Sequence, residues 1–494
     1  MKKTFVNNWR EIVNKYGNNI CVIDGEKQIS FERMDLISDY LANELKYQGL
    51  RPKDCVGICM KHSKDLIATI IALLKLGVTY VPIDPDYPTE RKIRIMTEAN
   101  CIRVLSLAAD NYDPIKNIAI EIDWNAELEK NIKLLYDHKE DDVIYILFTS
   151  GSTGEPQGVI TTNLNLCSVI ENCQKSIAIS PGQRVMWKTS FCFAFGIYEL
   201  YWPLITGGCI CVADSETRKN PKKIKEFIQK YSIQIVTSVP TLLQRLLNHG
   251  ELANCNSIEI ILCAGEPMLP NLVEEFRKSG SGTLYNVFGM TELTGYIIYS
   301  KVDKTIDTSE PIPLGKEICG TKCLVLDNEY NEVEDGTEGI LFVCGDNVSP
   351  GYLKNITLNK ERFIIYSNRT YFKTNDRVIK KDGIYYYSSR EDNLIKVRGN
   401  RIDCLEIEKI ISEMANIKEN AICYGNDGKI VDFFVTNEEN IEHTIKLMQQ
   451  KVQLKLPSYM HPNKWKRIDK LPLLTNGKVD RKKLKMMYEQ KQNK

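Results

Sequence analysis

The stretch Val143-Ile144-Tyr145-Ile146-Leu147-Phe148 runs directly into Thr149-Ser150-Gly151-Ser152-Thr153-Gly154-Glu155-Pro156-Gln157-Gly158. An unbroken apolar run bounded by glycine and hydroxyl residues reads as a buried strand that ends in a loop. Glycines leave backbone N–H groups free, and the Ser and Thr side chains add O–H donors, so the loop can form a nest for phosphate oxygens. The same composition also describes a solvated turn. It is not a Walker loop, because Pro156 stands where the second glycine would fall and no Gly-Lys-Ser/Thr follows.

Working outward, short apolar runs recur at Ile20-Cys21-Val22-Ile23, Val56-Gly57-Ile58-Cys59, 209–212, 233–237 and 258–263. Helical spacing at 66–76 and 221–231 alternates with them, so the repeating unit is βα and the expected fold class is α/β with a largely parallel, covered sheet. After about residue 310 the texture changes to strands punctuated by Gly, Asp and Asn, among them Cys323-Leu324-Val325-Leu326, Ile340-Leu341-Phe342-Val343 and Ile384-Tyr385-Tyr386-Tyr387. These predict a smaller β-rich subdomain. Beyond Arg390-Glu391-Asp392 the chain is denser in lysine, and a helix is expected over 402–414. The texture therefore divides the chain into 1–391 and 392–494.

The chain has 494 residues, with Lys+Arg 65 against Asp+Glu 64, so no global field draws it to nucleic acid or an anionic membrane. Hydrophobic content of 43% and charged content of 26% are those of a folded globular protein, which excludes disorder or a membrane bundle. The 16 cysteines include no CxxC pair, and the 5 histidines form no HExxH or other local ligand pair. Buried thiols in a reducing compartment are expected, and no metal held by protein alone. Met1-Lys2-Lys3 leads into Thr4, Asn7, Asn8 and Arg10 rather than an apolar core, so no signal peptide is read. The apolar stretch 66–76 is too short to span a bilayer and contains Lys75. The expectation is a soluble cytoplasmic protein.

Three further segments carry candidate chemistry. In Asn286-Val287-Phe288-Gly289-Met290-Thr291-Glu292, an aromatic face can stack on a purine, an amide can read its edge and a carboxylate can hold Mg²⁺ against phosphates. Taken singly, Phe288 reads as core rather than as an adenine platform. In Thr374-Asn375-Asp376 a turn carboxylate can accept ribose hydroxyls, and in Asn476-Gly477-Lys478-Val479-Asp480-Arg481 a lysine sits on a glycine-flanked loop. Taken alone, these two are a turn and a solvated charge run.

In their order and spacing the four segments resemble the adenylate-forming superfamily of acyl-CoA synthetases, luciferases and peptide-synthetase adenylation domains. Tyr80-Val81-Pro82-Ile83-Asp84, Cys263-Ala264-Gly265-Glu266, Lys396-Val397-Arg398-Gly399-Asn400-Arg401-Ile402 and the Lys478 loop extend the likeness over nearly the whole chain and favour the peptide-synthetase branch. The resemblance implies a large domain of two covered, mostly parallel sheets plus a β-rich subdomain, and a small mobile α+β C-terminal domain hinged at Asp392. It implies ATP as co-substrate, its triphosphate in the loop of Thr149, Ser150, Gly151, Ser152, Thr153 and Gly154. Phe288 then carries adenine, with Asn286, Gly289 and Thr291 in the same nucleotide set, Asp376 and Arg390 hold ribose, and Glu292 attends Mg²⁺. The substrate carboxylate attacks the α-phosphorus. At about 4 Å and an effective dielectric of about 20, two unit anions repel by about 4 kcal/mol. Lys478 is the cation implied to offset that repulsion.

The sequence departs from the family pattern at Gln157, where a lysine is usual, at Asn163, where a histidine is usual, and at Asn375 and Ser389, where glycines are usual. Asn tolerates a left-handed backbone, so Asn375 need not distort its turn. The segment Ser190-Phe191-Cys192-Phe193-Ala194-Phe195-Gly196-Ile197-Tyr198 resembles the amino-acid pocket of that branch, with Ala194 where an aspartate would pair an α-ammonium. An ammonium buried without its partner costs about 3–5 kcal/mol, so an α-amino acid is disfavoured. The other matching positions, Phe195, Tyr198, Thr237, Leu262, Ala264, Val287, Gly295 and Tyr296, suit a neutral, ring-bearing acid such as a hydroxybenzoate. The chain stops soon after Lys478, so the expected acceptor is the phosphopantetheine thiol of a separate carrier protein, with free CoA as the alternative. A nucleotide-binding homologue that has lost its chemistry is a third reading, and amino, hydroxy or keto acids remain alternative substrates.

Overall fold

The computed structural model describes residues 3–107, 112–113, 115–128, 136–150, 156–303, 305–391, 394–473 and 479–490. The chain forms two compact units, the first comprising Met1–Pro85, Met96–Leu147 and Gly158–Glu391, the second Asp86–Ile95, Phe148–Gln157 and Asp392–Lys494. The second unit thus takes in two segments, one of them around the glycine loop, that the sequence texture assigned to the large domain.

The first unit contains a nine-stranded and a six-stranded sheet. In the larger, Thr283–Met290, Ile260–Cys263, Ile235–Ser238, Arg184–Trp187, Cys209–Val212 and Ile20–Asp24 pair in parallel, while antiparallel strands occupy the edges. Strands buried on both faces need no alternation, which is why their sequences read as continuous apolar runs. The two runs expected at 233–237 and 258–263 pair only from Ile235 and Ile260. Residues 321–390 build the five-stranded antiparallel sheet of the β-rich subdomain, with its own core around Phe372, Val343 and Tyr385.

Helix Lys64–Leu76 shows how the apolar stretch is accommodated. Ser63 caps it, accepting from the Leu66 N–H at 3.1 Å, and every residue from Leu66 to Leu76 is buried. Its one buried cation, Lys75, is met by Asp35 at 2.6 Å and Asp39 at 2.7 Å. Helix Pro221–Tyr231 forms over the residues expected, with Pro221 in its first turn and the Asn220 side chain accepting from the Lys222 N–H. The sixteen cysteines are free thiols, buried except at Cys55, Cys319 and Cys344. Among the described residues no helix is long and apolar enough to cross a membrane.

In the second unit the helix expected over 402–414 is shorter. Ile402 and Asp403 belong to the strand Asn400–Asp403, and the helix runs Cys404–Ser412. The reason is a cap: Asp403 accepts from the Leu405 N–H at 2.8 Å, which fixes the start one residue later. Strand Ile430–Val435 buries Asp432 completely; one oxygen accepts from Asn420 Nδ2 at 3.1 Å and the other has no hydrogen-bond partner among the described residues. Burial pushes this carboxyl up to about 8, against the Asn420 bond, with the Glu408 charge adding to the rise. The folded state therefore holds a proton that the unfolded chain releases above its ordinary value of 3.8, so stability falls as pH rises from there to about 8. Urea titrations across that window should show the decline in the wild type and its disappearance in Asp432→Asn.

Candidate active site

Helix Gly196–Thr206 is apolar and buried from Gly196 to Leu204 apart from one charge, Glu199. That carboxylate is fully buried and accepts from the Lys188 N–H at 2.8 Å, the Thr189 N–H at 2.6 Å, the Thr189 hydroxyl at 2.7 Å and the Thr237 hydroxyl. It ties the connection after strand Arg184–Trp187 and the strand Ile235–Ser238 to one helix. Burial lowers the pKa of the Lys188 ammonium, with the Glu199 charge opposing the fall. Glu199 was not singled out from the sequence, although a lone acid in an apolar helix is a readable signal. Its effect on Thr237 is direct, since that hydroxyl is turned to the carboxylate.

Ala194, Tyr198, Leu262, Ala264, Val287 and Tyr296 lie in one core cluster, with Phe195 packed against it. Tyr198 accepts from the Tyr296 N–H at 2.6 Å, its ring centroid is 4.8 Å from that of Tyr296, and the Cys173 thiol lies 3.9 Å from its hydroxyl. Gly295 is required here. A Cβ at that position would stand 1.8 Å from Tyr198 Oη, so the tyrosine occupies the space a side chain would fill. Phe195, Tyr198, Gly295 and Tyr296 are thus neighbours, and Thr237 pairs with Leu262 across adjacent strands.

The nucleotide candidates of the first unit fall on two elements. Strand Thr283–Met290 carries Asn286, whose Nδ2 donates to Pro313 O at 2.8 Å, and Phe288, which is buried at 6% exposure in the core of the β-rich subdomain. Phe288 thus packs into that core. Gly289 sits at a bulge where a Cβ would lie 1.9 Å from Gly295 O, so only glycine permits the close approach of the two strands. The 3-10 turn Thr291–Leu293 follows and buries Glu292, whose Oε1 accepts from the Tyr352 hydroxyl at 2.7 Å. Tyr352 had no local sequence signal. No group of three or more His, Cys, Asp or Glu among the described residues is placed to hold a metal. A single carboxylate fits Mg²⁺ that takes most of its oxygen shell from nucleotide phosphates and water.

Asp376 and Arg390 are direct partners across adjacent strands, with Nη1 at 3.0 and 2.9 Å from the two carboxylate oxygens, and Asp376 fully buried. Asn375 has φ +61, the left-handed conformation its side chain tolerates. Asn163 is 3% exposed and tied at both ends of its amide: its Oδ1 accepts from the Phe5 N–H at 3.0 Å and its Nδ2 donates to Lys139 O at 2.9 Å. At the family's histidine position this chain carries a structural tie. In the second unit, Ser150 follows Thr149 and donates to Arg401 O at 2.8 Å. Gly151, Ser152, Thr153, Gly154, Asp392 and Lys478 lie outside the described residues.

The fold and these motifs define an AMP-binding enzyme: that family matches residues 9–353, and the chain belongs to it. It is an adenylate-forming ligase of the peptide-synthetase adenylation and acyl-CoA synthetase type. The chain is 28% identical to Zwittermicin A synthase ZmaJ of Bacillus cereus, over 98% of this chain and 95% of that protein. Among solved structures it is similar to NpsA-ThdA, an artificially fused adenylation-PCP di-domain from Klebsiella oxytoca, with TM-score 0.82, 19% identity and 94% of each chain covered. It is also similar to o-succinylbenzoate CoA synthetase MenE from Bacillus subtilis, with TM-score 0.86, 19% identity and 97% and 98% of the two chains covered. At such identities the structural likeness speaks for the fold.

Replacing Glu199 by Ala strands four buried donors, each of which loses about 1–3 kcal/mol of satisfaction if no water replaces the carboxylate. Glu199→Ala should lower the denaturation midpoint sharply and abolish acid-dependent exchange, measured by urea titration and ATP–pyrophosphate exchange.

Proposed function

We propose that the enzyme activates a carboxylic acid lacking an α-amino group, a neutral ring-bearing acid such as a hydroxybenzoate being favoured, and passes the acyl group to the phosphopantetheine thiol of a separate carrier protein. The supporting observation is electrostatic. Ala194 carries no charge, and the nearby carboxylate of the same segment, Glu199, is already committed to four donors. An α-ammonium placed among Ala194, Leu262, Ala264 and Val287 would lack a counter-ion.

The acid's carboxylate attacks the α-phosphorus of ATP, forming the acyl adenylate and releasing pyrophosphate; a thiol then displaces AMP. Asp376 and Arg390 are proposed for the ribose, Asn286, Phe288, Gly289 and Thr291 for the base and its surroundings, Glu292 for Mg²⁺ and the loop 149–154 for the phosphates. Lys478 supplies the cation that offsets anion repulsion in the transition state. Asp392 serves as the hinge of a C-terminal domain, 392–494. The carrier protein is favoured by the peptide-synthetase wording of the motifs and by the likeness to an adenylation-PCP protein; the likeness to a CoA synthetase keeps CoA as the second acceptor.

Pyrophosphate exchange screened across aryl, hydroxy, keto, β-amino and α-amino acids tests the reading, and a nucleotide-binding homologue without chemistry would exchange with none. Lys478→Ala should reduce adenylate formation by about 10²-fold or more with little change in ATP affinity, measured by exchange and by ATP titration. Equal losses of both would remove its transition-state role. Ala194→Asp should shift preference toward α-amino acids by at least about tenfold, read as the ratio of kcat/KM values.

A further inference from the structure

Three hydroxyls occur among the candidate acid-binding residues, those of Thr237, Tyr198 and Tyr296. The sequence treats them alike, and the structure separates them. Thr237 donates to Glu199 Oε1. Tyr198 accepts from the Tyr296 N–H at 2.6 Å and has the Cys173 thiol at 3.9 Å. Tyr296 is 2% exposed, and among the described residues its Oη makes no well-oriented hydrogen bond. The Cys173 thiol interacts with it, but a thiol is a weak partner.

A buried hydroxyl left in that condition calls for an explanation, because burying it without a bond is costly. Its position is also fixed. The Tyr296 backbone is held by Tyr198 Oη, the two rings lie 4.8 Å apart, and the bare backbone of Gly295 lets Tyr198 close over it. A group whose backbone and ring are both held is preorganised to bind. Burial raises the pKa of the Tyr296 phenol well above its ordinary value, so the group stays protonated and can donate.

We infer that Tyr296 Oη recognises a single hydroxyl or oxo substituent on an otherwise apolar acid, which rests on the reading of these residues as the acid site. Thr237 gives its proton to Glu199 and Tyr198 Oη already accepts from the Tyr296 N–H, which leaves Tyr296 Oη as the least engaged hydroxyl of the set. The substrate class narrows from a neutral ring-bearing acid to a hydroxylated or oxo-substituted one.

The test is ATP–pyrophosphate exchange by the full chain, comparing benzoate with 3- and 4-hydroxybenzoate, and pentanoate with 4-oxopentanoate, in the wild type, Tyr296→Phe and Tyr296→Leu. The wild type should prefer the polar member of at least one pair by about tenfold or more in kcat/KM, as expected for one buried hydrogen bond. Tyr296→Phe should bring that ratio to within about twofold of unity by slowing the polar acid while sparing the plain one. Because the substitution deletes a hydroxyl without a well-oriented bond, the Tm of unliganded Tyr296→Phe should equal or exceed that of the wild type. A fall in Tm, or failure to fold, would assign the hydroxyl a structural bond and overturn the inference. So would a wild type indifferent to the substituent in every pair, or a preference that survives both substitutions, and either result leaves the acid-site reading standing. Exchange confined to α-amino acids would overturn the acid-site reading itself.

Discussion

A single buried carboxylate organises the core around the residues proposed to bind the acid. Glu199 is the only charge within the buried part of helix Gly196–Thr206, and it is stabilised by four donors drawn from Lys188, Thr189 and Thr237. An ion buried in apolar surroundings persists only where its hydrogen bonds are made in full. The loop after strand Arg184–Trp187 and the strand Ile235–Ser238 are thereby held against the helix that presents Ala194, Phe195 and Tyr198. Glu199 thus fixes the elements that carry the residues proposed for the acid while its charge is committed to the protein, and both properties follow from the same four bonds.

Glycine plays the complementary part. At Gly289 and Gly295 the missing Cβ lets adjacent strands, and a tyrosine, approach within distances no side chain would allow. The bulge at Phe288 and Gly289 turns the chain toward Glu292, and the space above Gly295 is taken by Tyr198. Nucleotide and acid candidates on neighbouring residues are placed by absent atoms as much as by present ones. The buried pair of Asp376 and Arg390 is the charged counterpart, a carboxylate and guanidinium matched across one register position of the β-rich sheet.

Much of the architecture was legible before any coordinates. Continuous apolar runs alternating with helical spacing announced covered parallel strands, and Pro221–Tyr231 formed where its cap and proline placed it. The limits of strands and helices were less legible. The helix after Asp403 begins where a side chain found a backbone N–H, a competition between strand and helix that periodicity does not resolve. Among site residues, Phe195, Tyr198, Gly295 and Tyr296 are neighbours, while Glu199 and Tyr352 emerged only as partners of others.

The order of the motifs, the uncharged Ala194 and the glycines of the close approaches belong to the sequence, because composition and spacing are local quantities. Which polar groups remain available is a tertiary matter. Asn163 is satisfied by Phe5, 158 residues away, Thr237 by Glu199, and Tyr198 by the backbone of Tyr296. A hydrogen bond depends on distances of about 3 Å between atoms. When its partners lie far apart along the chain, only the folded molecule determines which polar groups are engaged and which, like the Tyr296 hydroxyl, are left without a well-oriented bond among the described residues.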